Sequence, residues 1–395
     1  MRVSSAKTGF DTATLCFVIA GAFVLSYIAV FAIWIFQHLW IWDAQGKPIF
    51  TDFVAIWTSG KLALQGAALK AYDGATLHGA EAVAIGHNFQ GYLGWPYPPT
   101  FFFIAAPLGA MPYAVALLLW VFSTLAIYAA VISKIAQTRT AILLACAAPW
   151  VAADITIGQN GFFTAALIGG VLLTMDEMPL LSGIFLGLLT YKPQFGLLFP
   201  IALLADRRWT VLLSATVTAS TLLALSGVVF GFATFTAFLH NLPQTTQALL
   251  VEGGTGWNKL QSVYGLTRWS GGSDNLARFA QAAISFSCAA GIFWLWRSDA
   301  PFPRKAAALA TASLLVTPYV FFYDFPVLAV AAAWLYRERE FDGKEMGMLA
   351  GGFLFSLATA AFAVPFALLS TLLVIGIVVR RSLPHSAVDI ALQHG

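Results

Sequence analysis

The sequence predicts an all-α polytopic membrane protein, and three observations carry that expectation. Only 10% of the 395 residues are charged, whereas 59% are hydrophobic and the mean hydropathy is +0.79. Soluble domains carry about 25% charged residues, so this chain has too little polar surface to cover a soluble globule of its size. Uncharged apolar runs recur along its length, as expected of helices crossing a hydrocarbon layer about 30 Å thick. Lys and Arg fall mainly on alternate connections between those runs, which is the bias that fixes membrane orientation. Together these predict a single integral-membrane domain over residues 1–395 with about 10–13 transmembrane helices.

Taken in order, the run from Leu15 to Phe36 is longer than a signal-peptide core and lacks a small-residue cleavage site before Gln37-His38. It reads as an uncleaved first span. Residues 37–100 follow as a first extracytoplasmic loop carrying Asp43, Asp52, Asp73 and Glu81 among several lysines and glycines. Within it Phe53, Ile56, Trp57, Leu62 and Leu64 recur at helical spacing, which predicts one or two short helices lying in the membrane interface. Tyr97-Pro98-Pro99 stiffens the chain where it returns to the membrane. Phe101 to Met111, broken by Pro107, predicts a partial or re-entrant helix.

Further apolar runs lie at 112–133, 140–153, 161–175, 179–191, 193–205, 209–231, 276–297, 305–318, 321–336, 346–363 and 365–379. The shorter ones must be tilted, kinked or buried in protein. Residues 232–275 form a second long extracytoplasmic loop. With the N-terminus inside, the inner face receives Arg2, Lys7, Lys134, Arg139, Arg207, Arg208, Arg297, Arg304, Lys305, Arg337, Arg339, Lys344, Arg380 and Arg381, fourteen of the 21 basic residues. Both termini are then cytoplasmic. The polar residues at membrane edges fall instead on the outer face, and such groups usually line a cavity. One extracytoplasmic site is therefore expected.

Several classes are excluded. The net charge of +3 comes without any block of Lys or Arg, so no nucleic-acid arm is present. Cys16, Cys146 and Cys288 each lie inside an apolar run and read as small buried side chains, not disulfide partners. The six histidines show no metal-ligand spacing, and no phosphate-binding loop, dinucleotide fingerprint or paired-aspartate nucleotide-sugar motif occurs. No metal and no cofactor is expected. An enzyme working on the outer face without nucleotide draws its energy from a lipid-linked donor.

The candidate residues each carry a structural alternative. Asp52 precedes an apolar periodic stretch and is either a base or a helix N-cap. Gln159 and Asn160, in Gly158-Gln159-Asn160-Gly161, either bind sugar hydroxyls or phosphate, or cap a span. Lys192, in Tyr191-Lys192-Pro193-Gln194, is either a snorkelling anchor or a cation for a lipid phosphate, whose charge it would stabilise as that group leaves. Asp324, beside Tyr323, needs a proton or a partner, with Lys192 and Arg268 available.

In their order these motifs make the sequence resemble the glycosyltransferase family 87 membrane proteins of the C-type glycosyltransferase superfamily, over about residues 15 to 340. The resemblance rests on the Asp52-Phe53 loop with Trp57, Gly60, Gly66 and Tyr72-Asp73, then Tyr97-Pro98-Pro99 and Ala106-Pro107-Leu108. It continues through Gly158-Gln159-Asn160, Lys192-Pro193-Gln194 and Leu203 to Trp209, and ends at Tyr323-Asp324. It implies a C-type glycosyltransferase fold in a bacterial inner membrane and a polyprenyl-phosphate-linked sugar, usually mannose, as donor. The sugar passes with inversion to a lipid or glycan acceptor. By this resemblance Asp52 is the general base, and Lys192, Arg268 and Lys259 bind the donor phosphate. Tyr97, Gln159, Asn160, Gln194, Tyr323 and Asp324 are the candidate sugar and acceptor contacts. Phe322 stands where members often carry a histidine, so no histidine role transfers. A lipid or glycan transporter or flippase is the rival class, but the internal repeat that transporters show is missing. An oligosaccharide polymerase or ligase would share the fold.

Overall fold

The computed structural model describes residues 12–89 and 94–383. Arg2 and Lys7 lie outside them, as do both chain ends on which the orientation of the termini was placed. Among the described residues the chain is helical throughout, with no strand and two isolated backbone bridges, Trp42 to Pro48 and Leu260 to Phe321. Helix α1 (Thr12–Phe36) is followed by the first loop, which folds into α2 (Asp52–Leu64) and α3 (Gly74–Ile85). A short turn leads to α4 (Phe102–Gly109), then α5 (Tyr113–Ala136), α6 (Thr140–Cys146), α7 (Pro149–Ile157), α8 (Gly161–Thr174), α9 (Pro179–Leu188) and α10 (Phe199–Ala205). Beyond these come α11 (Trp209–Phe230), α12 (Ala233–Thr246), α13 (Val263–Trp269), α14 (Asp274–Arg297), α15 (Phe302–Leu315), α16 (Pro326–Glu338), α17 (Gly343–Phe362) and α18 (Ala367–Ser382).

Among the described residues five helices, α1, α5, α11, α14 and α17, are long and apolar enough to cross a membrane, and α6 and α7, bent by 63° at their junction, pass the same test together as a broken span or a re-entrant loop. The bend falls where Pro149 opens α7, since proline cannot continue the preceding helix. The shorter apolar helices survive because protein surrounds them. Helix α8 has 14 residues, about 21 Å at 1.5 Å per residue, and nearly all of its side chains are buried between α5, α9 and α16. Helices α15 and α16 are likewise interior. By contrast α1 is almost wholly exposed along its apolar length, as a lipid-facing helix must be.

The two ends of the bundle differ. At one end the cations expected on the inner face meet acids. Arg208 contacts Asp176 and Asp206, Lys305 reaches Asp206, Arg304 pairs with Glu338, and Arg339, Arg380 and Arg381 surround the buried Glu345. The Glu345 cluster ties the ends of α16, α17 and α18 together. At the opposite end lie the first loop, the α7–α8 turn and the second loop.

The predicted interfacial helices are α2 and α3. Asp73 caps α3 by accepting from the Thr76 amide, and Gly86 ends it in the left-handed region at φ +83°. Helix α2 is not merely laid on a surface. It packs backbone to backbone on α4, and a Cβ at Gly60 would overlap the Ala105 carbonyl, while Trp57 donates to Met111 O at 2.9 Å. The partial helix expected at 101–111 is therefore the platform for α2. Replacing Gly60 with Val forces α2 off α4, an overpacking cost of about 1–3 kcal/mol. The expected outcome is a lower Tm in detergent together with lost activity, checked by thermal unfolding and turnover of the same preparation.

Candidate active site

Asp52 is the first residue inside α2, not its cap. Thr51 occupies the cap position, with its hydroxyl 3.3 Å from Tyr113 Oη, and the Asp52 carboxylate makes no capping bond. A negative charge in the first turn still suits the helix dipole. Phe53 next to it is fully buried against Tyr113, which also meets Trp57 edge-on. The backbone is thus pinned on both sides of a half-buried carboxylate.

Gln159 holds that carboxylate. Its Nε2 donates to Asp52 Oδ2 at 3.0 Å. The amide faces this way because Tyr97 Oη donates to Gln159 Oε1 at 3.0 Å, and Asn160 Nδ2 donates to Tyr97 Oη at 2.8 Å. Trp120 Nε1 fixes the Gln159 carbonyl at 3.1 Å, and Tyr72 Oη fixes the Tyr97 carbonyl at 2.8 Å. Asp52 Oδ1 accepts no hydrogen bond among the described residues. Gly158, at φ +67°, ends α7 so that Gln159 and Asn160 can turn inward. Gly161 lets α8 start against the Tyr323 carbonyl, which a Cβ there would strike.

Beside this chain lies a buried ion pair. Lys192 Nζ is 2.7 Å from Asp324 Oδ1, both nearly without solvent contact, and it also lies 5.0 Å from the Tyr323 ring. Asp324 Oδ2 accepts from the Phe321 amide at 3.0 Å. The fully buried Asp154 accepts from Phe162 N at 3.0 Å. The partner left open for Asp324 is thus Lys192 and not Arg268.

The three cations assigned to the donor phosphate are placed differently. Lys259 is exposed and near enough to Asp52 to stabilise its charge. It is carried there by the second loop, which docks through Gln261 N to Val320 O at 2.7 Å and the Leu260–Phe321 bridge. Lys192 is committed to Asp324. Arg268 donates to Gly272 O and Val251 O, each at 3.1 Å, and stacks over Trp257 at 4.3 Å, so it buttresses the loop that presents Lys259. Of the sugar contacts, Tyr97, Gln159 and Asn160 form the network around Asp52. Tyr323 stacks on Phe321 with ring centroids 5.4 Å apart, and Gln194 is half-buried beside Lys192.

Burial pushes the Asp52 carboxyl up, and the Gln159 hydrogen bond with the charges of Lys259 and Lys192 pulls it back down. Glu81 is a residue that the motifs did not single out. It is fully buried on α3, and burial, then the Asp52 charge, push its carboxyl to about 8. Its signal in the sequence is an acid at the centre of the stripe Leu77, Glu81, Ile85, spaced like the buried face of a helix.

This chain is an apolar helix bundle that gathers a carboxylate, two carboxamides and an exposed cation at one end. It belongs to glycosyltransferase family 87, which matches residues 95–318, more than half of the chain. No curated protein and no solved structure matches it. The matched segment contains Tyr97, Gln159, Asn160, Lys192, Lys259 and Arg268, whereas Asp52 and Asp324 lie outside it and are joined to it through Gln159 and Lys192.

Two outcomes test this arrangement. Lys192→Met alone leaves Asp324 buried and unpaired, a loss of about 3–5 kcal/mol, whereas Lys192→Met with Asp324→Asn recovers most of it. Thermal unfolding of the three proteins in one detergent checks this, and equal losses in single and double variants would refute the pairing as the source. Lys259→Ala removes a charge that holds the Asp52 carboxyl down. A base must be ionised, so activity falls as pH drops through its pKa. The acidic limb of the kcat/KM profile therefore moves to higher pH in the variant, as measured against wild type across pH 4–9 (roughly the range where a perturbed carboxyl titrates).

Proposed function

We propose that this protein transfers a sugar, most simply mannose, from a polyprenyl-phosphate donor to a hydroxyl of a lipid or glycan acceptor, on the extracytoplasmic face of a bacterial inner membrane. The observation that carries the reading is the Gln159 amide aimed at Asp52 Oδ2, which leaves Oδ1 free to receive a proton. The acceptor oxygen attacks the anomeric carbon from the face opposite the phosphate, and the C1–O bond to that phosphate breaks. Its electron pair leaves on the lipid phosphate, and the hydroxyl proton passes to Asp52. The configuration inverts because one displacement occurs. The sugar–phosphate bond supplies the driving force, so the step needs no nucleotide.

Lys259 is the cation best placed to meet the departing phosphate, because it is near Asp52 and its ammonium has no salt-bridge partner among the described residues. Lys192, paired with Asp324, adds positive potential from below without needing to leave its partner. Both lower the barrier by stabilising charge that grows in the transition state. The outward orientation is supported by the gathering of most cations at the end remote from Asp52.

Asp52→Asn keeps the hydrogen bond to Gln159 possible but removes the base. With purified protein and polyprenyl-phosphate mannose, the expected loss in kcat is about 10²–10⁴-fold, with the protein still folded by thermal unfolding. Near-normal transfer by the variant would end the assignment of Asp52 as base.

A further inference from the structure

Helix α2 leaves a groove on the side away from Asp52. Lys61 follows Asp52 on this helix by about two and a half turns at 3.6 residues per turn, so the two side chains leave it in opposite directions, about 13 Å apart along its axis. On the Lys61 side α2 does not close onto α3. A groove of about 490 Å³ remains between them, lined by Trp57, Lys61 and Leu62 on α2 and by Gly79 and Val83 on α3. That volume falls within the roughly 300–1,000 Å³ typical of small-molecule sites. The opening follows from the residues of α3. A Cβ placed at Gly79 would meet nothing within 4 Å, and Ala80 and Ala84 stand where larger side chains would fill the space.

The walls are largely apolar, and the one charge among the lining residues is a cation. Leu62 and the Trp57 ring form one side, and Val83, 79% exposed, stands on the other. Lys61 is exposed, makes no salt bridge among the described residues, and holds its Nζ 4.3 Å from the centre of the Trp57 ring. An apolar cleft with an unneutralised ammonium at its rim complements a molecule with an anionic head and a hydrocarbon tail. The level of the groove favours a membrane lipid. Trp57 Nε1 donates to Met111 O at 2.9 Å, and its ring meets Tyr113 edge-on. Tyr113 opens α5, which is long and apolar enough to cross a membrane. Trp and Tyr concentrate where a span meets the lipid headgroups, so Lys61 stands beside that layer, where anionic headgroups attract lysines. Leu64 and Leu69, 55% and 49% exposed, continue the apolar surface along the chain.

We propose that the groove between α2 and α3 is a binding site for an anionic phospholipid, with the lipid phosphate on Lys61 and an acyl chain along Leu62 and Val83. The site is separate from the one that holds the sugar donor, because Lys61 and Asp52 leave α2 on opposite sides, and it stands whatever the role of Asp52. Its occupant bears on that role all the same. Helix α2 carries Asp52 in its first turn, and a lipid filling the groove braces α2 against α3.

Native mass spectrometry of the full-length protein in detergent, titrated with dioleoyl phosphatidylglycerol or dioleoyl phosphatidylcholine, measures the Kd of the first bound lipid. Wild type should bind phosphatidylglycerol more tightly than phosphatidylcholine. Lys61→Gln should raise the Kd for phosphatidylglycerol by about fivefold, the worth of one lysine at an anionic lipid surface, and leave that for phosphatidylcholine unchanged. Lys70→Gln removes another exposed lysine of the same loop, one that does not line the groove, and should change neither. Gly79→Leu fills the groove and should weaken both lipids. Thermal unfolding without lipid checks that each variant is folded; if Gly79→Leu is not, the two lysine variants decide alone. Equal affinity of wild type for the two lipids, an unchanged Kd in Lys61→Gln or in folded Gly79→Leu, or the same loss in Lys70→Gln would overturn the proposal. So would displacement of the lipid by glycerol 3-phosphate, which would make the site one for a free anion. Tighter binding of polyprenyl phosphate than of phosphatidylglycerol, lost in Lys61→Gln, would overturn it too and give the groove to the donor lipid.

Discussion

The hydrogen bond from Gln159 to Asp52 joins positions 107 residues apart, and the rest of the site depends on it. A free carboxylate at the end of an apolar bundle would be unfavourable and would drift between conformers. Here one oxygen is tied to an amide whose own orientation is set by Tyr97, while Trp120 holds the backbone carbonyl of the same residue. In surroundings of low dielectric such bonds are stronger, and a missing partner is more costly, than in water. The network therefore holds the remaining carboxylate oxygen in one place, which is what proton abstraction requires.

Close packing makes that bond possible. Helix α2 reaches α4 without a side chain between them at Gly60, and α8 begins against the Tyr323 carbonyl because Gly161 has no Cβ. The backbones so placed carry Asp52 from one side, Gln159 and Asn160 from a second, and Asp324 from a third. Electrostatics then divides the cations. Lys192 answers the buried Asp324, Arg268 answers backbone carbonyls and an indole, and only Lys259 of the three is exposed. At the far end a different set of cations is paired with acids that knit helix ends together.

Much of the fold was legible before any coordinate. Apolar runs mark the helices because a hydrocarbon layer tolerates few other patterns, and the predicted 112–133, 209–231 and 276–297 correspond to α5, α11 and α14. Asp52, Gln159 and Lys192 were visible as polar groups at the borders of such runs, where they are expensive. The roles were less legible. A helix cap and a base make the same local demand on Asp52, and the structure gives the cap position to Thr51. Arg268 and Lys259 look equivalent in a loop until one is seen bonded to carbonyls and the other open. Glu81 was passed over because one acid in an apolar stripe is a weak signal within a loop that holds several.

The sequence alone determined that this chain is an all-helical membrane protein of glycosyltransferase family 87, that an acid follows the first span, and that cations segregate from the polar turns. Those properties are set by hydropathy, by local periodicity and by residue order, all of which are written along the chain. Only the tertiary structure decided which amide holds Asp52 and which acid neutralises Lys192. Each of these is a meeting between segments distant in sequence. Such meetings are set by helix packing at ångström precision, and no linear pattern records them.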